Sequence, residues 1–130
     1  MKDRAALDER GLPRGRRFDP VTETTPREVK SRLDAGDPSL ILVDCRRHHE
    51  HALCAIGAPG EAFVPMHETA LRIEELLAMK DRSVVIYCHT GRRSLWVTRY
   101  LRESGLRDVK SMAGGIDLWA ADIDPAVPRY

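Results

Sequence analysis

The chain is poor in anything that would staple it. Only three of its 130 residues are cysteine: Cys45, Cys54 and Cys88. An odd number with no close Cys-x-x-Cys pair argues against a disulfide framework. It points to a reducing compartment, with the cytoplasm as the expected location. There is almost no net charge: the formal balance is +1. With no global field to draw a polyanion, neither nucleic acid nor a membrane surface is an expected partner. No apolar run approaches the roughly 18–20 residues needed to cross a bilayer. The segment Met1–Leu7 lacks the apolar stretch of a secretory signal, and Asp3, Asp8 and Glu9 oppose an organelle transit peptide. Internal repeats and low-complexity segments are absent as well.

What is present suits one globular domain: 42% hydrophobic and 32% charged residues. Residues 1–17 carry Lys2, Arg4, Arg10, Arg14, Arg16 and Arg17 with little periodicity. They read as a flexible, loosely attached basic arm, either a solvated tail or a docking arm for an acidic partner. Residues 18–130 form the expected domain. Thr25-Pro26-Arg27-Glu28 is a capping box with proline at the first helical position. The helix it starts places Val29 and Leu33 on one face and ends near Gly36. Leu40–Val43 is a continuous apolar run, as in a strand buried on both faces. A short helix is expected over 48–54, and a short strand over 62–64. A helix over 67–79 would bury Leu71, Leu76, Leu77 and Met79. A buried strand over 84–87 follows, then a helix over 95–104 with Gly105 just past its end. A last strand spans 109–112. Gly114-Gly115 then turns into a short helix through Trp119, and prolines extend the tail. Trp96 and Trp119 read as packing residues. Strands alternating with helices make an α/β fold, a mainly parallel sheet of about five strands with helices on both faces. Ligands of such sheets bind beyond the carboxyl ends of the strands. Asp44-Cys45-Arg46 and the run from Cys88 to Ser94 both fall on that edge.

The run Cys88-His89-Thr90-Gly91-Arg92-Arg93-Ser94 sits at a strand-to-helix turn. Loop N–H groups and a helix N-terminus present partial positive charge there, and two arginines add charge that does not titrate. A cysteine so placed has its pKa lowered to roughly 3.5–7.5 and becomes a nucleophile. A lone cysteine after a strand would otherwise read as a small core residue. Gly91 supplies a positive φ, and Ser94 is a candidate N-cap. Arg93 either scaffolds the loop or touches the substrate. Arg92 either reaches the mouth or is solvated. Asp44 and Arg46 are read as an ion pair that supports the loop edge. His48, His49, His51 and Cys54 lack a second ligand pair at zinc spacing, so they read as a solvated helix face, and no metal is expected. Cys45 and Cys54 read as small buried thiols, with resolution of an oxidised Cys88 as their alternative.

Three blocks in order give the chain a family likeness. They are Leu42-Val43-Asp44-Cys45-Arg46 with Glu50 after it, the run Cys88–Ser94, and Gly114-Gly115-Ile116-Asp117-Leu118-Trp119. Over about residues 20–130 the chain resembles the rhodanese domains, specifically the single-domain sulfurtransferases. Two departures stand out. The stretch Ile56–Pro65 reads two residues longer than the family's usual one or shifted against it, and Arg47 stands where an acidic residue is common.

The resemblance implies a rhodanese-like fold and a thiosulfate sulfurtransferase. Cys88 would take sulfane sulfur from thiosulfate or a persulfide donor, hold it as a persulfide, and pass it to cyanide or a thiol. His89, Thr90, Gly91, Arg92, Arg93 and Ser94 would bind the anion. No cofactor is implied, and a protein partner in a sulfur relay is possible. Two alternatives stay open. One is a phosphatase or arsenate reductase of the same fold, whose loops read Cys-x5-Arg where this chain has Cys-x4-Arg to Arg93. The other is a non-catalytic binding or sulfur-carrier module.

Overall fold

The computed structural model describes residues 6–130. Five strands and five α-helices alternate along the chain. They are β1 (Glu23–Thr24), α1 (Pro26–Asp34), β2 (Leu40–Asp44), α2 (His48–Leu53), β3 (Ala62–Phe63), α3 (Ile73–Leu77), β4 (Ser83–Tyr87), α4 (Arg92–Glu103), β5 (Val109–Met112) and α5 (Gly115–Asp122). The strands make one sheet in the order β1-β5-β4-β2-β3, and every pairing is parallel. The α/β class and the five-stranded parallel sheet are as expected from the sequence.

The period of two along each central strand divides the core. Ile41, Val43, Val84 and Ile86 pack with Leu76, Val97 and Leu101 beneath α3 and α4. Leu40, Leu42, Val85 and Tyr87 pack with Val29, Ile116 and Trp119 beneath α1 and α5. Both faces are therefore covered, which is why β2 and β4 read as unbroken apolar runs. α1 starts as its sequence dictates: the Glu28 N–H donates to Thr25 Oγ at 3.1 Å, with Pro26 at the first turn.

Four expectations need correction. The helix over 67–79 is a 3-10 turn at Met66–Glu68 followed by the shorter α3. Thr69 Oγ1 donates to the Met66 carbonyl at 2.7 Å, and Arg72 reaches back to the Phe63 carbonyl at 2.9 Å. These side-chain bonds close the turn locally instead of continuing the helix, and they leave Leu71 86% exposed. The second correction concerns α4, which starts at Arg92, three residues before the expected start. Gly91, at φ +100°, occupies the cap position, so Ser94 lies inside the first turn and is not the N-cap. Third, Trp96 is about half exposed and stacks on Tyr100. Fourth, the arm is not loose over residues 6–17. Leu7 and Leu12 are buried against Ala113 and Leu118, with Leu12 at 0% exposure, because apolar residues interrupt its basic pattern. Residues 1–5 of that arm lie outside the described residues. Among the described residues no helix is long and apolar enough to cross a membrane.

Candidate active site

Cys88 directly follows β4 and is 1% exposed. The chain then makes a three-residue loop, His89-Thr90-Gly91, and enters α4. The positive φ of Gly91 turns the backbone so that its N–H points at the Cys88 sulfur, 3.1 Å away. The Ser94 N–H, in the first turn of α4, points at the same atom from 3.4 Å. Ser94 Oγ lies 3.3 Å from it and 2.7 Å from Ser111 Oγ on β5. When Cys88 is ionised, the Ser94 hydroxyl donates to the sulfur and can accept in turn from Ser111.

These donors act together with Cys45. Hydrogen bonding from the Cys45 thiol is the largest influence on Cys88; burial opposes it, and the Ser94 hydroxyl, the Ser94 N–H and the Gly91 N–H add to it. The net result brings Cys88 down to about 5. Cys45 moves the other way. Its hydrogen bond to Cys88 and its burial push it well above the ordinary thiol range, so it holds its proton beside a thiolate.

The last helix clamps the loop from behind. The N–H groups of Ile116 and Asp117, in the first turn of α5, donate to the carbonyls of Cys88 and His89 at 2.9 and 3.0 Å. This close approach explains Gly115: a Cβ there would collide with both carbonyls, and its φ is +61°.

Of the arginines, neither meets the sulfur as an unpaired cation. Arg93 makes a two-pronged ion pair with Glu50, at 2.6 and 2.9 Å, and Arg92 is exposed. Paired with Arg93 and hydrogen-bonded by Tyr130, the Glu50 carboxyl is held well below the usual range despite its burial. Asp44 and Arg46 form a fully buried pair, both side chains at 0% exposure, joined at 2.8 and 2.9 Å. Arg46 also donates to the Glu50 carbonyl at 3.3 Å and to the Cys54 carbonyl at 2.5 Å. So Arg46 pins α2, and α2 holds Glu50 against Arg93. The Asp44 carboxylate also accepts from His51 Nδ1 at 2.9 Å, and the His51 ring stacks on Phe63.

Sequence reasoning did not select Tyr130 or Ser111, and it gave Glu50 no role. Tyr130 returns from the end of the chain, donates to Glu50 at 2.7 Å and stacks on His89 at 4.0 Å. No local signal marks it. Ser111 is a polar residue at a buried position of an apolar strand, and that mismatch was the available clue. Two cavities border the site. One, of about 360 Å³, is lined by Cys45, Arg47, Met66, His67 and Arg93. The other, of about 230 Å³, reaches Thr90 between Arg16, Gly114, Asp117 and Arg129. Before β3 the backbone takes positive φ at Gly57 and Gly60, and Glu61 accepts from the Tyr87 hydroxyl at 2.7 Å.

Residues 25–122 match the family model described as Rhodanese-like domain. A protein of Allochromatium vinosum named Sulfurtransferase is 38% identical over 100 residues, which cover 77% of this chain and 89% of that protein. The Adenylyltransferase and sulfurtransferase MOCS3-2 of Zea mays is 32% identical along the full chain, which spans only 26% of the maize protein. Among solved structures, a Rhodanese-like Domain Protein from Staphylococcus aureus is 30% identical with a TM-score of 0.63, covering 75% of this chain and 90% of that one.

Proposed function

Because the chain belongs to the Rhodanese-like domain family, we propose that it is a sulfurtransferase that carries sulfane sulfur on Cys88. The observation that carries the reading is the Cys88 sulfur itself, buried and met by two backbone N–H groups and a hydroxyl that favour its thiolate. A thiolate so held attacks the outer sulfur of thiosulfate, and sulfite leaves with the electron pair of the broken S–S bond. The persulfide that remains keeps its negative charge within reach of the same donors. A thiophilic acceptor then attacks the terminal sulfur and Cys88 leaves as the thiolate. Cyanide serves as acceptor in the laboratory; in a cell, a small thiol or a relay protein fits the same chemistry. Of the two activities in the maize protein's name we carry over only sulfur transfer, because the Allochromatium protein, matched over most of its length, bears that name alone. Three free cysteines fit a reducing cytoplasm.

The rival phosphatase or arsenate reductase needs room for three equatorial oxygens, each met by a donor. Here the loop is short, and its Gly91 N–H and the Ser94 N–H of α4 already converge on the sulfur, which favours a ligand with one terminal atom. The test assays thiosulfate with cyanide beside aryl phosphate and arsenate. Thiocyanate should form with negligible phosphate release, and Cys88→Ser should abolish it. Faster hydrolysis of aryl phosphate than turnover of thiosulfate would replace this reading with its rival.

A further inference from the structure

One buried thiol, Cys45, supports the Cys88 thiolate but forms no bond to sulfur in the reaction just described. β2 and β4 lie side by side in a parallel ladder that ends on the pair Asp44 and Tyr87. Cys45 and Cys88 are the next residues of each strand. The ladder continues into them, with the Cys45 N–H donating to the Tyr87 carbonyl at 3.0 Å. Both side chains fall on the α4 face, in one cluster with Val43, Ile86 and Val97. Neighbouring strands run about 4.8 Å apart, and disulfides bridge Cα separations of about 4.4–6.8 Å. The strand spacing therefore puts the two residues within the Cα range that a disulfide bridges. Cys54 is placed differently, at the end of α2 against Arg46 and the Pro128 carbonyl.

We propose that Cys45 is a resolving nucleophile for the Cys88 persulfide, and that it discharges the carried sulfur as sulfide when no external acceptor takes it. The proposal rests on the sulfurtransferase reading above. Cys45 sulfur attacks the inner sulfur of Cys88–S–S⁻, and the Cys45–Cys88 bond forms. The bond to the terminal sulfur breaks, and that atom leaves with the electron pair and the Cys45 proton as HS⁻. The sulfane sulfur is thereby reduced, the two cysteines are oxidised to a disulfide, and a single negative charge stands on each side. The carried sulfur is itself the oxidant, so none is needed from outside. A dithiol reductant then resets the pair by exchange. Cys45 lines the cavity of about 360 Å³ beside Arg47 and Arg93, through which sulfide leaves and the reductant enters. Because Cys45 enters as a protonated thiol, the step is slow, and an external acceptor that reaches the terminal sulfur wins.

The experiment is a single turnover. Fully reduced protein is mixed with excess thiosulfate without cyanide or free thiol, quenched in acid, and read by intact and peptide mass spectrometry beside a sulfide assay. The wild type should pass through a form one sulfur heavier to one in which the Cys45 and Cys88 peptides are joined, releasing one sulfide per chain. Cys54→Ser should do the same. Cys45→Ser and Cys45→Ala should stop at the persulfide with loss of sulfide release. A wild type that keeps the persulfide as stably as the Cys45 variants overturns the resolving role and leaves sulfur transfer standing. If neither the wild type nor the Cys45 variants gain sulfur, the sulfurtransferase reading falls and takes this inference with it.

Discussion

Arg92 and Arg93 stand beside Cys88 in the chain, yet Arg93 is spent on Glu50 and Arg92 faces solvent. The pKa of Cys88, expected to be lowered partly by these arginines, is lowered chiefly by Cys45, Ser94 and Gly91. Alkylation of Cys88 followed against pH should therefore inflect near 5, below the free-thiol value of about 8.5. Cys45→Ala and Ser94→Ala should raise the inflection, and Arg92→Ala should leave it in place. An inflection at or above the free value in the wild type would contradict the hydrogen-bond account. The same shift links to folding. Between pH 5 and the unfolded thiol value, the unfolded chain binds a proton at Cys88 that the folded chain does not, so stability rises with pH across that window. It is lost as pH falls through the folded value. Denaturant unfolding of the wild type and of Cys88→Ser should show a gap that widens from pH 5.5 to 8.5, and a gap that stays constant would refute the linkage. Above that window Cys45, held protonated, pulls the other way.

Elements whose period or caps are written locally were legible. β2 and β4 announced themselves as apolar runs, α1 by Thr25 and Pro26, and the turn between β4 and α4 by Gly91. β1 was not legible, because two polar residues, Glu23 and Thr24, make a strand only by pairing with β5. The broken helix at 67–79 was not legible either, since its break depends on Thr69 and Arg72 finding particular carbonyls. The paired glycines before α5 were read as a turn, whereas Gly115 also allows α5 to press on the loop. Gly115→Ala should cost about 1–3 kcal/mol for the left-handed backbone alone. It should also lower sulfur transfer more than it lowers the melting temperature implies, because it displaces the carbonyls of Cys88 and His89. Unchanged activity with unchanged stability would dissolve the clamp.

At the scale of the whole molecule, the site is enclosed by segments far from it in sequence. The segment before β1 brings Arg16 to within 3.4 Å of where a Gly91 side chain would stand, and Tyr130 brings the tail to Glu50 and Arg46. Neither has a signature, because each is fixed by what it meets across the fold. If residues 6–17 are part of the folded unit, Leu12→Ala should destabilise it by about 2–5 kcal/mol, the range for a buried leucine. A change within about 0.5 kcal/mol, as for exposed positions, would return that segment to the status of a tail.

The clamp on the loop also sets an order in time. Ile116 and Asp117 follow every other element of the sheet, and chains emerge from the ribosome at about 5–20 residues per second. For the seconds before α5 is available, the carbonyls of Cys88 and His89 have no holder, and the loop cannot aim its N–H groups at the sulfur. The growing chain thus carries an ordinary thiol, and the acid shift of Cys88 waits until α5 has been made. Stalled nascent chains that expose Cys88 but stop before Gly114 should alkylate like an unstructured cysteine, and chains extended past Asp122 should switch to the acid-shifted profile.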